Sequence, residues 1–249
     1  MSKWHFCKAA RSRSFKSHFP PLTNVDRAPL REELLHRPRV AVATVHGRPY
    51  FNILSALRSL NLQFDSTTPE EAATSDAKVI ITTEREAGLF GRDVAVLLDT
   101  ELEKYPFISK AKILRTMALA GADDQLTIGI DPGSRIGISA LYLGQELSSL
   151  VETSPQDAVE QVSALLGGIA SRRKVVRIGD GDIRMARQIA RMLKFRFKDS
   201  VCIEIVNEHG TSQNADTNRR GARDRLSART IAFRNGREFY LMPGISGRR

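Results

Sequence analysis

Two groups of residues in this sequence have the types and spacing to do chemistry. The first centres on Asp131. It closes an apolar run, Leu126-Thr127-Ile128-Gly129-Ile130, and is followed by Pro132-Gly133 and a second apolar run from Ile136. The pattern predicts two strands joined by a tight loop, with one carboxylate at the end of the first strand. Aspartate is disfavoured within a buried strand, so at this position it either holds the turn or ligates a metal. The second group is a set of cations, Arg184, Arg187, Arg191, Lys194 and Lys198, recurring at steps of three and four residues. On a helix they form one stripe, opposite an apolar stripe of Ala186, Ile189, Ala190, Leu193 and Phe197. Such a stripe is favourable where it is fully solvated or where something anionic lies along it, and a phosphate backbone suits it.

Composition sharpens the second point. The 249 residues carry a net charge of +10, unevenly spread. Residues 1–39 have 9 basic and 3 acidic side chains, residues 40–170 have 10 and 17, and residues 171–249 have 19 and 8. Clustered positive charge in the last third is the footprint expected of a nucleic-acid binder. Hydrophobic residues make up 41% of the chain, enough for a packed core. No apolar run is long enough to span a membrane. Cys7 and Cys202 are too far apart for metal-ligand spacing and form no disulfide framework, which fits a reducing, cytoplasmic setting.

The elements that must position these residues fall into two units. Residues 1–38 are rich in Arg, Lys, Ser and Phe and interrupted by Pro20-Pro21, which reads as a disordered basic tail. A transit peptide or a start placed too early would look the same. Residues 39–121 read as a small parallel α/β domain of unassigned role. Strands are expected at 40–45, 78–83 and 94–98, with a short one at 62–64. Helices are expected over 49–62, from Pro69 with Thr68 as cap, and over 101–119 with Pro106 interrupting. Gly121-Ala122-Asp123-Asp124 is a polar break and a plausible boundary. A second domain, residues 122–240, follows in the order β-β-β-α-β-α-β-α, with residues 241–249 as a C-terminal tail.

That order, with Asp131 ending its first strand, resembles the RNase H-like fold. The words Gly129-Ile130-Asp131-Pro132-Gly133-Ser134-Arg135 and Gly137 are similar to the opening motif of its RuvC/YqgF branch, over about residues 126–235. The resemblance implies a mixed five-stranded sheet with flanking helices. It also implies a converging set of metal-binding, catalytic carboxylates. Asp131 matches the first, Asp180 in Gly179-Asp180-Gly181-Asp182 follows the fourth strand, Glu208 follows the fifth, and Asp224 lies on the last helix. Asp182 is read instead as that helix's cap. Asn207 and His209 stand where YqgF proteins carry Asp and Arg. The 16-residue separation of Glu208 and Asp224 is nearer to YqgF than to RuvC.

The chemistry implied is phosphodiester cleavage in structured nucleic acid, Holliday-junction-like DNA or precursor RNA. It would use Mg²⁺ or Mn²⁺ by a two-metal mechanism. Hard divalent ions need only a few oxygen ligands, whereas acids converging without a cation raise one another's pKa. Arg135, Arg219, Arg220 and Arg223 would join the helical stripe in holding phosphate, positioning without reading sequence. The expected partners are nucleic acid and no membrane, with a homodimer as one assembly. The alternative is a non-catalytic nucleic-acid-binding protein that keeps the fold. A third class, the sugar-kinase or actin-like ATPases, also opens with a strand-end Asp, but it normally needs two such domains and a second phosphate hairpin, and this sequence shows one copy.

Overall fold

Runs of β-branched and aliphatic residues make the strands, and their pairing makes two sheets. The computed structural model describes residues 40–118, 122–208 and 220–240, the side chain of Arg220 excepted. The basic tail, the tail from 241, His209, Arg219 and Gly121 of the expected boundary lie outside the described residues. The first sheet is four-stranded and wholly parallel, in the order β2-β1-β3-β4. Its strands are β1 (Val40–Ala43), β2 (Asp65–Thr67), β3 (Val79–Thr82) and β4 (Ala95–Leu98). Helices α1 (Gly47–Ser59) and α2 (Pro69–Ala73) make the crossovers, and α3 (Asp99–Lys104) and α4 (Pro106–Met117) follow.

Local chemistry accounts for these boundaries. Thr68 accepts from the Glu71 N–H while the Glu71 carboxylate reaches back to the Thr68 N–H, a reciprocal cap on α2. Pro106 splits 99–117 into two helices and sits in the first turn of the second, where its missing N–H costs nothing. The short strand forms at Asp65–Thr67 rather than at 62–64, because residues 61 and 62 still close the end of α1: Asn61 has φ +53° and the Leu62 N–H donates to the Leu57 carbonyl at 3.0 Å. Glu86 fastens the ends of β1 and β3 together. Its carboxylate, 7% exposed, accepts from the Val45 N–H at 2.8 Å and the Thr83 hydroxyl at 2.6 Å. Burial pushes its pKa up, but the bonds from Thr44, Thr83 and Val45 outweigh that and hold it at about 2.

The second sheet is mixed and six-stranded, in the order β10-β9-β8-β5-β6-β7. β5 (Gln125–Asp131), β6 (Ile136–Tyr142) and β7 (Gln145–Glu152) pair antiparallel. β8 (Arg173–Gly179) and β9 (Cys202–Val206) run parallel to β5 on its other side. The five expected strands are therefore joined by a sixth, β10 (Arg237–Glu238), antiparallel to β9. It forms because Gly236 lets the chain turn tightly against Glu204 and Ile205, and it covers an otherwise open edge. Helices α5 (Pro155–Gly168), α6 (Ile183–Phe197) and α7 (Arg220–Phe233) complete the unit. No helix among the described residues is long and apolar enough to cross a membrane.

One apolar cluster runs through both sheets, from Val40, Ile53 and Leu57 to Ile128, Ile138, Val176 and Leu193. Helix α4 bridges them. The buried Lys110 donates to the Glu146 carbonyl at 2.7 Å, and Arg115 donates to the Ala170 carbonyl at 3.1 Å. Asp124, in the polar break, accepts from the Tyr142 hydroxyl at 2.6 Å and receives the Arg172 and Arg173 N–H groups on its carbonyl. Burial and this carboxylate push the Tyr142 pKa up to about 12.

The packing of α7 is the feature that positions the site. Side chains alternate along a strand, so Thr127, Gly129 and Asp131 share one face of β5, and Gly137 and Ser139 face the same way on β6. A Cβ on Gly129 would strike the Ala228 carbonyl and Ala232, and one on Gly137 would strike the Asp224 carbonyl. The helix thus lies directly on bare strand backbone, with Ala228, Ile231 and Ala232 buried beneath it. Arg177, on the same face of β8, ties down its C-terminal end. It donates to the Ala232 carbonyl at 2.7 Å and to Glu204 at 2.9 Å. Gly129→Ala and Gly137→Ala should each cost roughly 1–3 kcal/mol, read as a lower guanidinium midpoint. Glu86→Gln should cost roughly 1.5–3 kcal/mol at neutral pH. Because the folded pKa of Glu86 is depressed, wild type should lose this advantage as pH falls from the ordinary carboxylate range towards 2.

Candidate active site

The site is the end of β5 seen from the α7 side. Asp131 pairs across the ladder with Gly137, and the Asp224 backbone rests on Gly137. One strand end and one helix turn therefore bring two carboxylates together. Ser227, one turn beyond Asp224, hydrogen-bonds to Asp131. From the other side comes Glu208, just past β9. Its carboxylate accepts from the Gly181 N–H at 3.1 Å. It lies so close over the β8–α6 turn that a Cβ at Gly179 or Gly181 would overlap it. Asp180 holds that segment in place: its carboxylate accepts from the Glu208 N–H at 2.9 Å, and its own N–H donates to the Val206 carbonyl at 3.0 Å.

Burial and neighbouring charges raise the pKa of two of these acids, Asp131 and Glu208, each for its own reasons. Burial pushes the Asp131 pKa up to about 7, aided by the charges of Glu208 and then Asp224, while the Ser227 hydrogen bond opposes the rise. Burial also pushes Glu208 up; the Gly181 N–H opposes this, the Asp180 charge adds to it, and Arg234 works against it. Asp224 Oδ2 is buried without a hydrogen bond, although Arg135 Nε lies 3.3 Å away. That contact has the distance of an ion pair but not the direction of a hydrogen bond, so the oxygen is compensated in charge and not in geometry.

The four sequence-derived acids are thus linked as Asp180–Glu208–Asp131–Asp224. Asp182 is a helix cap, accepting from the Arg184 and Met185 N–H groups at 3.1 and 3.0 Å. Among the described residues, no three His, Cys, Asp or Glu side chains are close enough to share one metal ion. Of the cations, Arg135 meets Asp224, and Arg223 is exposed on α7. Arg184, Arg187, Arg191 and Lys198 are exposed along or just beyond α6. Lys194 leaves the stripe: its side chain is 11% exposed and pairs with Asp199 at 3.2 Å. Arg219 and the Arg220 side chain lie outside the described residues. Ser227, Gly179 and Gly181 join the site although their chemistry did not single them out. The i, i+3 spacing of Ser227 from Asp224 was the available signal.

No protein-family model matches the chain, and no curated protein matches its sequence. The site's own chemistry therefore carries the reading. Its donors are all carboxylate oxygens, the set that hard divalent cations take. A buried Asp224 oxygen without a hydrogen bond and an Asp131 held protonated near neutrality are both features that a cation would relieve. The residues fit Mg²⁺ or Mn²⁺ by donor type, though they are not gathered as a three-ligand cluster.

The raised pKa of Asp131 has a consequence for stability. Between the ordinary aspartate pKa and about 7 the folded chain binds a proton that the unfolded chain has lost, so stability falls as pH rises through that window. Asp131→Asn removes the effect. Its melting temperature in metal-free buffer should match wild type near pH 4 and exceed it by on the order of 5 °C at pH 8, measured by circular dichroism.

Proposed function

We propose that this chain is a divalent-metal-dependent nuclease of the RNase H-like, RuvC/YqgF type, cleaving phosphodiester bonds in structured DNA or RNA. The observation that carries the reading is Asp131 at the end of its strand, its pKa pushed up to about 7 by burial and then by the charges of Glu208 and Asp224, which reach it from a second strand end and a helix. The topology supports it: β5, β8 and β9, the first, fourth and fifth strands of the second sheet, are neighbours, as the resemblance implies. So does the surplus of 19 basic over 8 acidic residues in the last third of the chain.

In this reading Asp131, Glu208 and Asp224 would hold Mg²⁺ or Mn²⁺, with Asp180 alongside. The ions would neutralise phosphate charge and activate water for in-line displacement by the two-metal route. The remaining work belongs to the chain. Asp180 fixes the Glu208 backbone, Ser227 orients Asp131, and Gly179 and Gly181 leave room for the Glu208 carboxylate. Arg135 already neutralises Asp224, so a phosphate approaching these acids meets a guanidinium rather than bare negative charge.

A second reading, a nucleic-acid-binding protein that does not cleave, rests on two observations. No three-ligand group exists among the described residues, and Arg135 already supplies a positive charge to Asp224. A panel of labelled junctions, flaps, single strands and structured RNA, incubated with Mn²⁺, separates the two. The nuclease reading expects cleavage of at least one member. Asp131→Asn should lower that rate by at least about 100-fold and leave binding intact. Binding without cleavage by wild type would favour the second reading, and full activity in Asp131→Asn would remove the first.

A further inference from the structure

Helix α6 carries one residue that its basic stripe did not include. Phe195 is 83% exposed, the most exposed of the large apolar side chains described. At 100° per residue, positions 184, 188, 191 and 195 fall on one line of the helix. Arg184, Gln188, Arg191 and Phe195 are all exposed, and Arg187 is exposed beside them. The opposite line, Ala186, Ile189, Ala190 and Leu193, is wholly buried. Phe197, two residues on, packs against the core. Phe195 is therefore not a core residue left partly uncovered; it stands at the middle of the solvent face, one turn from Arg191.

The cations around it are available. Arg196 is taken up by Glu160 at 2.7 Å and Ser163 at 2.8 Å, and Lys194 by Asp199. Arg184, Arg187 and Arg191 form no ion pair among the described residues. A single exposed phenylalanine is ordinary on a protein surface. An exposed phenylalanine in line with unpaired arginines is a different object, because one ligand satisfies both. Arginines take phosphate oxygens in bidentate fashion, and a flat ring takes the face of an unstacked base. A duplex supplies the phosphates but hides its base faces. A protein partner could cover the ring only by also desolvating three guanidinium groups.

We propose that this face of α6 binds a single-stranded nucleic acid, with Arg184, Arg187 and Arg191 on its phosphates and Phe195 stacked on a base. The inference deepens the reading of the previous subsection and rests on it only in taking nucleic acid as the ligand; it names an unpaired strand as the part recognised. The line from Arg184 to Phe195 is about 16 Å long, room for about three to five nucleotides. It begins at the acids' edge: Asp182 caps α6, and the Gly181 N–H donates to Glu208. An unpaired strand on α6 would therefore lead away from Asp180 and Glu208.

The test uses the full chain in EDTA, so that no cleavage intervenes. Fluorescence anisotropy is measured with a labelled oligothymidylate and with a labelled blunt duplex. Phe195→Ala should weaken oligothymidylate binding by roughly 5- to 100-fold and change duplex binding by less than about twofold. Phe195→Tyr should restore the single-strand affinity. Arg191→Ala should weaken both ligands and reduce the salt dependence of both by about one phosphate contact. In a Trp4→Phe background, which removes the chain's one tryptophan, Phe195→Trp should lose emission on adding oligothymidylate and not on adding duplex. Unchanged single-strand affinity in Phe195→Ala would overturn the inference. So would equal losses for both ligands, or a dimer that dissociates in Phe195→Ala while oligothymidylate binding is kept. A protein that stacks a strand but never cleaves with Mn²⁺ would contradict only the nuclease reading. One that cleaves but ignores Phe195→Ala would contradict only this one.

Discussion

The contact on which the site depends is the seating of helix α7 on the bare backbone of β5 and β6. Gly129 and Gly137 supply no side chains, and Ala228 and Ala232 fill the space above them. A helix packed on ordinary side chains would stand off the sheet by the depth of those side chains. Here it sits close enough for the Asp224 backbone to touch Gly137, the ladder partner of Asp131. The same closeness removes water from both acids. Small residues thus set the distance, and the distance sets the electrostatics. Arg177 secures the far end of α7 through the Ala232 carbonyl, so the helix is fixed at two places and Asp224 has little freedom to move away.

Holding acids together in this way costs stability, and the compensating groups are visible. Arg135 stands against Asp224, Arg234 acts on Glu208, and Ser227 and the Gly181 N–H donate to carboxylates. None of them pairs with Asp131 as a cation, and Asp131 is the acid whose pKa reaches neutrality. Glu86 in the first sheet makes the opposite case. It too is shielded from solvent, yet hydroxyls and an N–H surround it, and its pKa falls to about 2. Burial raises the pKa of both carboxylates; hydrogen-bond donors overturn that rise at Glu86, and the charges of Glu208 and Asp224 add to it at Asp131. Unrelieved repulsion is characteristic of functional sites, and a fully satisfied carboxylate is characteristic of structural cement.

Much of this was legible in the sequence, for identifiable reasons. β5, β6, β8 and β9 carry Ile or Val and are bounded by turn residues or helix starts, so their order could be read before their pairing. Asp182 announced itself as a cap by preceding an amphipathic run. Asp131 stood out because a carboxylate ended an apolar strand. What could not be read was distance. Lys194 has the spacing of the basic stripe, but Asp199 beyond the helix end draws it away. Phe195 was missed because the stripe is defined by its cations, although it lies on the same line of the helix as Arg184 and Arg191. The β2 shift follows from how α1 ends at Asn61 and Leu62, and β10 depends on the close approach at Gly236, neither of which strand propensity encodes. Nor did the polar break at Asp124 reveal that it would tie β5 to β6 and β8 through Tyr142, Arg172 and Arg173.

The central claim is that Asp131, Glu208 and Asp224 form a divalent-cation site. Isothermal titration of Mn²⁺ into the full chain at pH 8 tests it most directly, with Asp131→Asn and Glu208→Gln as parallel samples. The account predicts stoichiometric binding by wild type and its loss in both variants, while all three proteins keep the same circular dichroism spectrum. Absence of binding by a folded wild-type protein, or undiminished binding by Asp131→Asn, would contradict it.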